Sequence, residues 1–417
     1  MILLAGLGDL RYKVTEAVTL ALLSSLFYII AVFLILRIPE SRSVFVFIVL
    51  SGIAMRLTVA RMMPALSDDI YRYRWEGMLQ RAGGNPYQAR PADPAWEHLR
   101  DSTWQRVNQK EFKGGYGPLV EQLEYWTWRG ASAVSSDPEK QIHVFKLTAG
   151  AFDLMAILLV AALLSAKGLP AQRVLIYAWC PLPVIEFWAT GHHDALVICL
   201  ILLALFAAAS ARWTWSFLAL SLAVCAKFWP AILFPLFAGW RGWLPQRRWQ
   251  WLVLVPAAGI AAAPYWSNVG ENARFLSGFF GGWRNNDSFF GLLLWLTGDV
   301  YLAKYTAFAL LAAVVVVLMR LEWPLEKKVL AAIVAMLLIS SNCHPWYLTW
   351  FLPLLALHPS AALLAWCALA PLAYEVVSGW MLLGEWHGST PARWWVYVPV
   401  FALLAWRWRV ESHSLPR

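Results

Sequence analysis

Long apolar runs alternate with short polar segments along this chain. A helix of about 20 apolar residues crosses the ~30 Å hydrocarbon core of a bilayer. Runs of nearly that length occur at 16–36, 43–63, 147–166, 173–188, 249–266, 301–319, 360–378 and 393–408, with a shorter one at 194–210. The pattern therefore predicts an all-α polytopic membrane protein.

Two further stretches, 213–240 and 329–357, are too long for one ordinary span and too short for two comfortable ones. Polar residues and proline interrupt them, at Lys227 in the first and at His344 in the second. Arginines flank the first stretch at both ends, so a segment with both ends in the cytoplasm would cross and return with Lys227 at its far tip. Applied throughout, this interpretation gives thirteen crossings with the N-terminus outside, and we expect about 11–13 transmembrane helices.

The composition excludes a soluble chain and favours a single integral membrane domain over residues 1–417. Hydrophobic residues make up 60% of the chain and charged residues 14%, against roughly 25% charged in soluble domains. The 27 Trp suit the water–lipid boundary, where an indole keeps its ring in the apolar layer and its N–H in the wet one. The five Cys form no Cys-x-x-Cys motif, which argues against a thiolate metal or redox site.

The net charge of +9 lies outside the largest polar segment, residues 64–145. That segment has ten Lys/Arg and eleven Asp/Glu, a net of −1, so the rest of the chain carries +10, mostly in short connections. This distribution is typical of cytoplasmic loops and not of nucleic-acid binding. It favours an orientation in which 64–145 is one large outer, or periplasmic, loop. Within that loop, 119–129 is expected to form a short amphipathic helix on the membrane surface.

Two adjacent carboxylates, Asp68 and Asp69, follow the second predicted span. Like charges at a membrane boundary repel each other and are costly to desolvate, so a cation, a metal or a proton transfer would account for them. An ionised carboxylate here can act as the general base that removes a proton from an acceptor hydroxyl as it attacks a sugar. A helix cap, with the neighbouring arginines on lipid phosphate, accounts for the pair equally well.

Several short motifs follow one another in a distinctive order. They are Asp68-Asp69-Ile70-Tyr71-Arg72-Tyr73, Trp75-Glu76-Gly77, Gly84-Asn85-Pro86-Tyr87, Tyr116-Gly117-Pro118, Gly191-His192-His193-Asp194-Ala195, Lys227-Phe228-Trp229-Pro230 and His344-Pro345-Trp346-Tyr347. In this order the chain resembles the GT-C glycosyltransferases, most closely the bacterial mannosyltransferase-like members that use a polyprenyl-phosphate sugar. It departs from their pattern in having two helices before the acidic loop, where the simplest plan has one, and in Gly117, where Pro is common.

The resemblance implies a GT-C-like membrane helix bundle with a catalytic cavity at the outer leaflet. It implies a bacterial-type cytoplasmic (inner) membrane, crossed many times, with the active site facing the periplasm or the outside. The acidic catalytic residue of the family maps onto Asp68 or Asp69, and the resemblance does not decide between them.

Lys227 lies between apolar segments, where a lysine is costly and needs a partner. We interpret it as a clamp on the donor phosphate, with Arg72 and Arg74 as further phosphate-binding cations. The plainer alternative is that Lys227 snorkels to the interface. Pro230 favours the clamp, because it breaks the helix and exposes backbone carbonyls there.

Other polar and aromatic residues on the expected outer side are candidates for substrate binding, because they offer donors, acceptors or flat faces to a sugar. They are Tyr71, Glu76, Asn85, Tyr116, His192, His193, Asp194, Asn286, Asp287, His344 and Trp346. Structural explanations compete for several of them: a helix cap by Asp194, a satisfied structural His344, and a solvated turn at 284–287.

Imidazole and carboxylate also suit divalent ions. Adjacent histidines point in different directions, so only one of His192 and His193 would join Asp194 in a metal site. No cofactor is certain from the sequence, and a divalent metal ion is left open.

The leading hypothesis is a membrane glycosyltransferase that moves a hexose, mannose by resemblance, from a polyprenyl-phosphate donor to an envelope lipid or glycan acceptor. Its partners would be that donor, that acceptor and the membrane lipids. The alternative is a multi-spanning flippase or transporter of lipid-linked sugars, because helices broken at Lys227 and His344 are also typical of a midplane transport site. A non-catalytic envelope scaffold would leave the aspartate pair without a role.

Overall fold

A computed structural model describes residues 1–239, 250–268, 284–386 and 390–413 of the chain. The structure is 76% helical, and the described ranges contain no strand. Within these ranges, Asn285 and Asn342 pair through an isolated β-bridge. The prediction of an all-α polytopic membrane protein is confirmed.

The α-helices of nine residues or more are numbered here in chain order. They are α1 Val14–Ile35, α2 Arg42–Val59, α3 Asp69–Arg81, α4 Pro118–Val134, α5 Pro138–Ala166, α6 Asp194–Ala209, α7 Trp213–Ala226, α8 Leu254–Ala262, α9 Phe289–Thr297, α10 Val300–Arg320, α11 Leu325–Ile339, α12 Ala361–Leu369 and α13 Thr390–His413.

Within the described ranges, five helical segments are long and apolar enough to cross a membrane by length and composition. They are α1, α2, α5, α10 and the segment Ala361–Leu383, which begins with α12. Shorter apolar helices include α6 and α7. The larger count of about 11–13 crossings stays a prediction.

Both expected interruptions of the long apolar stretches are present. Helix α7 ends at Ala226, and Lys227 is extended before a 3₁₀ segment at Trp229–Leu233. Helix α11 ends at Ile339, and His344 is extended before another 3₁₀ segment at Pro345–Trp350. Lys227 and His344 therefore lie at breaks between helical pieces, where backbone groups are free to bind other partners.

Two predicted boundaries are wrong. The apolar run 173–188 is not one helix, because Pro181 and Pro183 lack the N–H that a continuous helix needs, and the chain forms short pieces that end in a π-helical turn at Val184–Ala189. Helix α5 begins at Pro138 inside the segment predicted as loop, since Asp137 caps it and Pro138 fits its first turn.

The segment between α2 and α5 folds around its own apolar core. Ile70, Tyr73 and Trp75 of α3 are buried there with Ala131 of α4 and Phe145 of α5. The expected helix at 119–129 exists as the longer α4. Residues 64–137, which we call the outer segment after their predicted side of the membrane, therefore form a packed layer that contacts the helix bundle through α5.

A fully buried ion pair ties the bundle together. Arg56 of α2 donates to Asp153 of α5 at 2.5 Å, and both side chains are 0% exposed. Tyr177 and Trp188 also donate to Asp153, at 2.8 and 2.9 Å, and Arg56 donates to the Ala178 carbonyl at 2.6 Å. The pair thus fixes the broken segment 171–189 against α2 and α5.

Asp153→Ala is expected to destabilise the fold by about 3–5 kcal/mol, because it leaves the Arg56 guanidinium buried and uncompensated. The measurement is thermal unfolding of the purified protein in nanodiscs. The double variant Arg56→Met/Asp153→Leu is the control, and it should unfold nearer to the wild-type temperature since no charge is left behind. Equal melting of Asp153→Ala and wild type would contradict the assigned role.

Candidate active site

The turn that leads into α6 carries three successive polar residues, and each of them contacts a different group. Gly191 makes this turn possible: its φ is +83°, and a Cβ there would lie 2.5 Å from the Cδ1 atom of Ile70. A residue with a side chain would meet both a backbone penalty and a clash. The turn can therefore lie directly against the start of α3, which carries the aspartate pair.

Asp68 and Asp69 share one amide donor. The Nδ2 atom of Asn108 donates to Asp68 at 2.9 Å and to Asp69 at 2.6 Å. Asp68 also accepts from the indole N–H of Trp380 at 2.8 Å. Its side chain does not cap α3, so the cap interpretation of Asp68 fails and its carboxylate is held by tertiary contacts instead.

His192 lies between two carboxylates. Its Nδ1 atom is 2.9 Å from Glu186, and its Nε2 atom is 3.6 Å from Asp69. Glu186 is fully buried in the π-helical turn and accepts a short hydrogen bond from the Tyr374 hydroxyl. Ser67 contacts the His192 Nε2 atom at 3.1 Å. These contacts form a chain of polar groups from Tyr374 to Asp69.

The two aspartates have pKa values displaced in opposite directions. Burial and the neighbouring negative charge of Asp69 raise the pKa of Asp68 to about 6. For Asp69, burial opposes ionisation, but the hydrogen bond and charge of His192 outweigh it and hold the pKa below its usual range. For His192, burial opposes the imidazolium, yet Asp69 and Glu186 raise its pKa to about 10. Asp69 is thus a fixed anion beside a cation, whereas Asp68 titrates close to neutral pH.

Aromatic rings stack above this pair. Trp346 lies between His192 and His344, with ring centroids 4.3 and 4.4 Å apart. His344 also contacts the side-chain amide of Asn285 at 3.0 Å. The breaks at 190–194 and 340–346 therefore meet at one place, and Trp346 is still half-buried there.

Lys227 forms an ion pair with Asp194 at 2.7 Å and keeps 19% of its side chain exposed. Asp194 also accepts from the indole N–H of Trp350 at 2.6 Å. The Lys227 ammonium lies 5.6 Å from the ring centroid of Trp350 and 5.7 Å from that of Tyr347. A lysine ammonium has three donors, so Lys227 can bind a second anion while it remains paired with Asp194.

A cavity of about 640 Å³ opens at Asp68. Its walls come from the start of α3, the segment 102–110 and the segment 380–384, with Arg11, Arg106 and Lys110 as its cations. Arg106 donates to the Tyr71 hydroxyl at 2.9 Å, and Tyr71 also lines the cavity. The cavity combines a carboxylate, cations and hydrogen-bonding groups, which suits a polar, hydroxyl-rich ligand.

Arg72 and Arg74 already have protein partners. Arg72 pairs with Glu76 at 2.5 Å and donates to the carbonyls of Gln109 and Phe112. Arg74 pairs with Asp101 at 2.7 Å and donates to Thr103 and Gln141. Both side chains are almost fully buried. These contacts show how the two arginines hold the outer segment together, and their role as phosphate ligands stays a prediction.

Three other candidates make contacts that shape the protein itself. Asn85 accepts from the Tyr87 N–H at 3.0 Å and so shapes its own turn. Asn286 donates to the Cys343 carbonyl at 3.1 Å. Asp287 pairs with Arg284 and Arg393, both at 2.8 Å.

The remaining candidates do not line this cavity. His193 stacks on Tyr73 at 3.9 Å, and Tyr116 meets the edge of Tyr73 at 5.0 Å. Glu76 lies beside Glu121 and Glu124. His192 and His193 lie next to different carboxylates, whereas Asp194 pairs with Lys227. A metal site that joins one histidine with Asp194 stays a prediction.

Sequence reasoning missed three groups that hold the acidic pair: Asn108, Glu186 and Trp380. Glu186 had a usable signal, since it is a carboxylate within an apolar run. Asn108 and Trp380 had none, because they are ordinary polar-loop and interface residues whose contacts cross 40 and 312 positions of the chain.

The fold and the site define an all-α membrane protein with an acid–base centre beside a polar cavity. Residues 10–242 match the family model described as Alpha-(1->6)-mannopyranosyltransferase, N-terminal domain. The match covers more than half of the chain, so the chain belongs to this mannosyltransferase family. The membership confirms the resemblance to GT-C-like mannosyltransferases. No curated protein and no solved structure in the comparisons matches the chain.

The outer segment touches the break at Lys227 through Gly117. The Gly117 N–H donates to the Ala226 carbonyl at 3.2 Å. A Cβ at Gly117 would lie 2.2 Å from the Cys225 carbonyl oxygen and 2.6 Å from that of Ala226. Gly117 thus permits a close backbone contact and donates a hydrogen bond that a proline at this position could not make.

Gly117→Ala is expected to destabilise the protein by roughly 1–3 kcal/mol, because the methyl group meets backbone that must shift. The matched control is Gly130→Ala in α4, where a Cβ has no neighbour within 4 Å. Inside a helix that change should be neutral or stabilising. Thermal unfolding of both variants in nanodiscs tests the contact, and a Gly117→Ala protein as stable as Gly130→Ala would disprove it.

Proposed function

We propose that this protein transfers a mannosyl residue from a polyprenyl-phosphate donor to a hydroxyl of a lipid or glycan acceptor at the outer face of the cytoplasmic membrane. The observation that carries the proposal is the position of Asp68 at the wall of the cavity, within the part of the chain that matches the mannosyltransferase family. The description of the family as an α-(1→6)-mannopyranosyltransferase supports an α-(1→6) linkage, formed on a 6-hydroxyl of the acceptor.

Asp68 is the proposed general base. A base works best when its pKa lies near the working pH, and burial beside Asp69 raises the pKa of Asp68 to about 6. In the proposed step the acceptor oxygen attacks C1 of mannose while Asp68 takes the hydroxyl proton. The bond from C1 to the phosphate oxygen breaks, and polyprenyl phosphate leaves with the bonding electrons.

Asp69 and His192 are proposed to support this step without taking the proton. The His192 imidazolium keeps Asp69 ionised, because its positive charge stabilises the carboxylate relative to the protonated carboxyl. The Asp69 anion in turn sustains the basicity of Asp68. Trp346 lies between the rings of His192 and His344 and fixes the orientation of the His192 imidazolium.

Lys227 is proposed to bind the phosphate of the donor. Its ammonium is partly exposed, lies at a helix break and has donors left beyond its bond to Asp194. A phosphate leaving group needs charge neutralisation more than covalent help. The outer-face location rests on the excess of Lys/Arg in the connections assigned to the cytoplasm.

Asp68→Asn is expected to lower the transfer rate roughly 10²- to 10⁴-fold, the usual contribution of a general base. The assay uses the purified protein in nanodiscs, radiolabelled polyprenyl-phosphate mannose and a short α-mannoside acceptor. Product linkage and released polyprenyl phosphate are both measured. Full activity in Asp68→Asn would exclude Asp68 as the base, and lipid movement without bond cleavage would support the flippase alternative.

The pH profile of kcat/KM separates the two aspartates. Activity of the wild type should fall as pH drops through about 6, because Asp68 becomes protonated there. Asp69→Asn removes a negative charge that raises the Asp68 pKa, so the acid limb should move to lower pH in that variant. An unchanged limb would mean that another group sets the profile.

Lys227→Met is expected to lower kcat/KM for the donor roughly 10- to 100-fold, the value of one charge-assisted hydrogen bond. The double variant Lys227→Met/Asp194→Asn keeps the site neutral and tests the phosphate role apart from the ion pair. It should regain stability and stay impaired. Recovery of activity in the double variant would make Lys227 a structural residue. The control is Lys304→Met, which removes a lysine from α10 instead.

A further inference from the structure

Three glutamates meet behind the aspartate pair. Glu76 of α3 and Glu121 and Glu124 of α4 are each 0% exposed, and one carboxylate oxygen from each lies within 4.8 Å of the others. We call these residues the glutamate cluster. Gly77 permits it, because a Cβ there would lie 2.5 Å from the Glu124 carbonyl oxygen. The two helices are therefore close enough to bring the three carboxyl groups together.

The cluster is short of hydrogen-bond donors. Within the described part of the chain, one oxygen of Glu76, one of Glu121 and both of Glu124 are buried without a hydrogen bond. Carboxylates only accept hydrogen bonds when ionised, so they cannot satisfy one another. Buried oxygens of this kind need a proton or a cation between them.

His193 is a second, independent feature of the same place. It is 2% exposed, and its Nε2 atom lies 3.4 Å from Glu124. Neither ring nitrogen makes a hydrogen bond to any described residue. Tyr73 stacks on the ring at 3.9 Å and fixes its orientation. A buried imidazole thus points a nitrogen at the cluster without the hydrogen bond that normally accounts for such a placement.

The charges leave room for one divalent cation. Arg72 pairs with Glu76 and supplies one positive charge against three carboxylates. Carboxylates bind a metal in their ionised form, and three ionised glutamates with Arg72 carry a net charge of −2, which a doubly charged ion would balance. Carboxylate oxygens together with a neutral imidazole form a mixed set that suits Mn²⁺ or Zn²⁺.

We propose that the glutamate cluster and His193 bind one divalent transition-metal ion, Mn²⁺ or Zn²⁺. The ion joins α3, α4 and the turn before α6. Its four proposed ligands do not line the cavity at Asp68, so the ion positions α3 and the turn at 191–194 and does not touch the substrate. This metal site goes beyond the proposed glycosyl transfer, and its test is independent of that proposal.

The neighbouring histidine is engaged elsewhere. His192 lies between Glu186 and Asp69, at 2.9 and 3.6 Å, which leaves His193 as the metal-binding member of the pair.

The test is metal binding by the full-length protein in nanodiscs. Protein purified from medium with Mn²⁺ and Zn²⁺ is analysed by elemental mass spectrometry, and Mn²⁺ titration is followed by electron paramagnetic resonance. We expect one ion per chain in the wild type and at least a tenfold weaker affinity in Glu124→Gln and His193→Gln. A chelator should lower the melting temperature of the wild type but not of Glu124→Gln.

Two controls locate the ion. Glu97 is a carboxylate of the same outer segment, and its side chain is 72% exposed. The Glu97→Gln variant should keep its full metal content. Asp69→Asn should keep the ion as well, because Asp69 is not part of the cluster. Loss of the ion in Asp69→Asn with retention in Glu124→Gln would overturn the assignment. A wild-type protein that binds neither ion would also overturn it, and this outcome needs no variant to fold.

Discussion

A charge in an apolar interior is costly unless an opposite charge or hydrogen-bonding groups compensate it. This constraint acts at several levels of the structure. Arg56 and Asp153 join α2 to α5, and Lys227 and Asp194 join a helix break to the start of α6. His192 connects the acidic pair with Glu186 and, through it, with Tyr374. Each pair fixes two elements that are far apart in the sequence, since separating them would leave one charge buried and alone.

The same constraint explains why the turn before α6 is central to the site. Its three polar residues point to different groups: His192 to Asp69, His193 to Glu124 and Asp194 to Lys227. One rigid turn, made possible by Gly191, therefore sets the positions of the acidic pair, the outer segment and the cationic break relative to one another. Preorganised charges of this kind need little rearrangement when charge develops during a reaction.

The sequence was sufficient to predict the helical membrane class and the breaks at Lys227 and His344, and it singled out His192, which lies beside Asp69. Those predictions rest on local signals: apolar length, proline and isolated charge. Partners were not predictable in the same way, because Asn108 and Trp380 reach Asp68 only through the fold. The directions of the Arg72 and Arg74 side chains were also hidden, since either a lipid phosphate or a protein carboxylate satisfies an arginine. The prolines in 173–188 were also a local signal. Their effect on helix continuity was overlooked because the run is apolar over its whole length.

Asp68 and Asp69 show how two identical neighbouring residues acquire different chemistry. Both accept from Asn108, but their other contacts differ: Asp69 lies beside the His192 cation, whereas Asp68 lines the cavity and accepts from Trp380. The pKa of Asp69 falls and that of Asp68 rises to about 6. A single aspartate cannot be held ionised by an imidazolium and also be a good proton acceptor near neutral pH, because the interaction that stabilises the anion weakens the base. Dividing the two tasks between adjacent residues resolves this conflict. The negative charge of Asp69 then strengthens the basicity of Asp68.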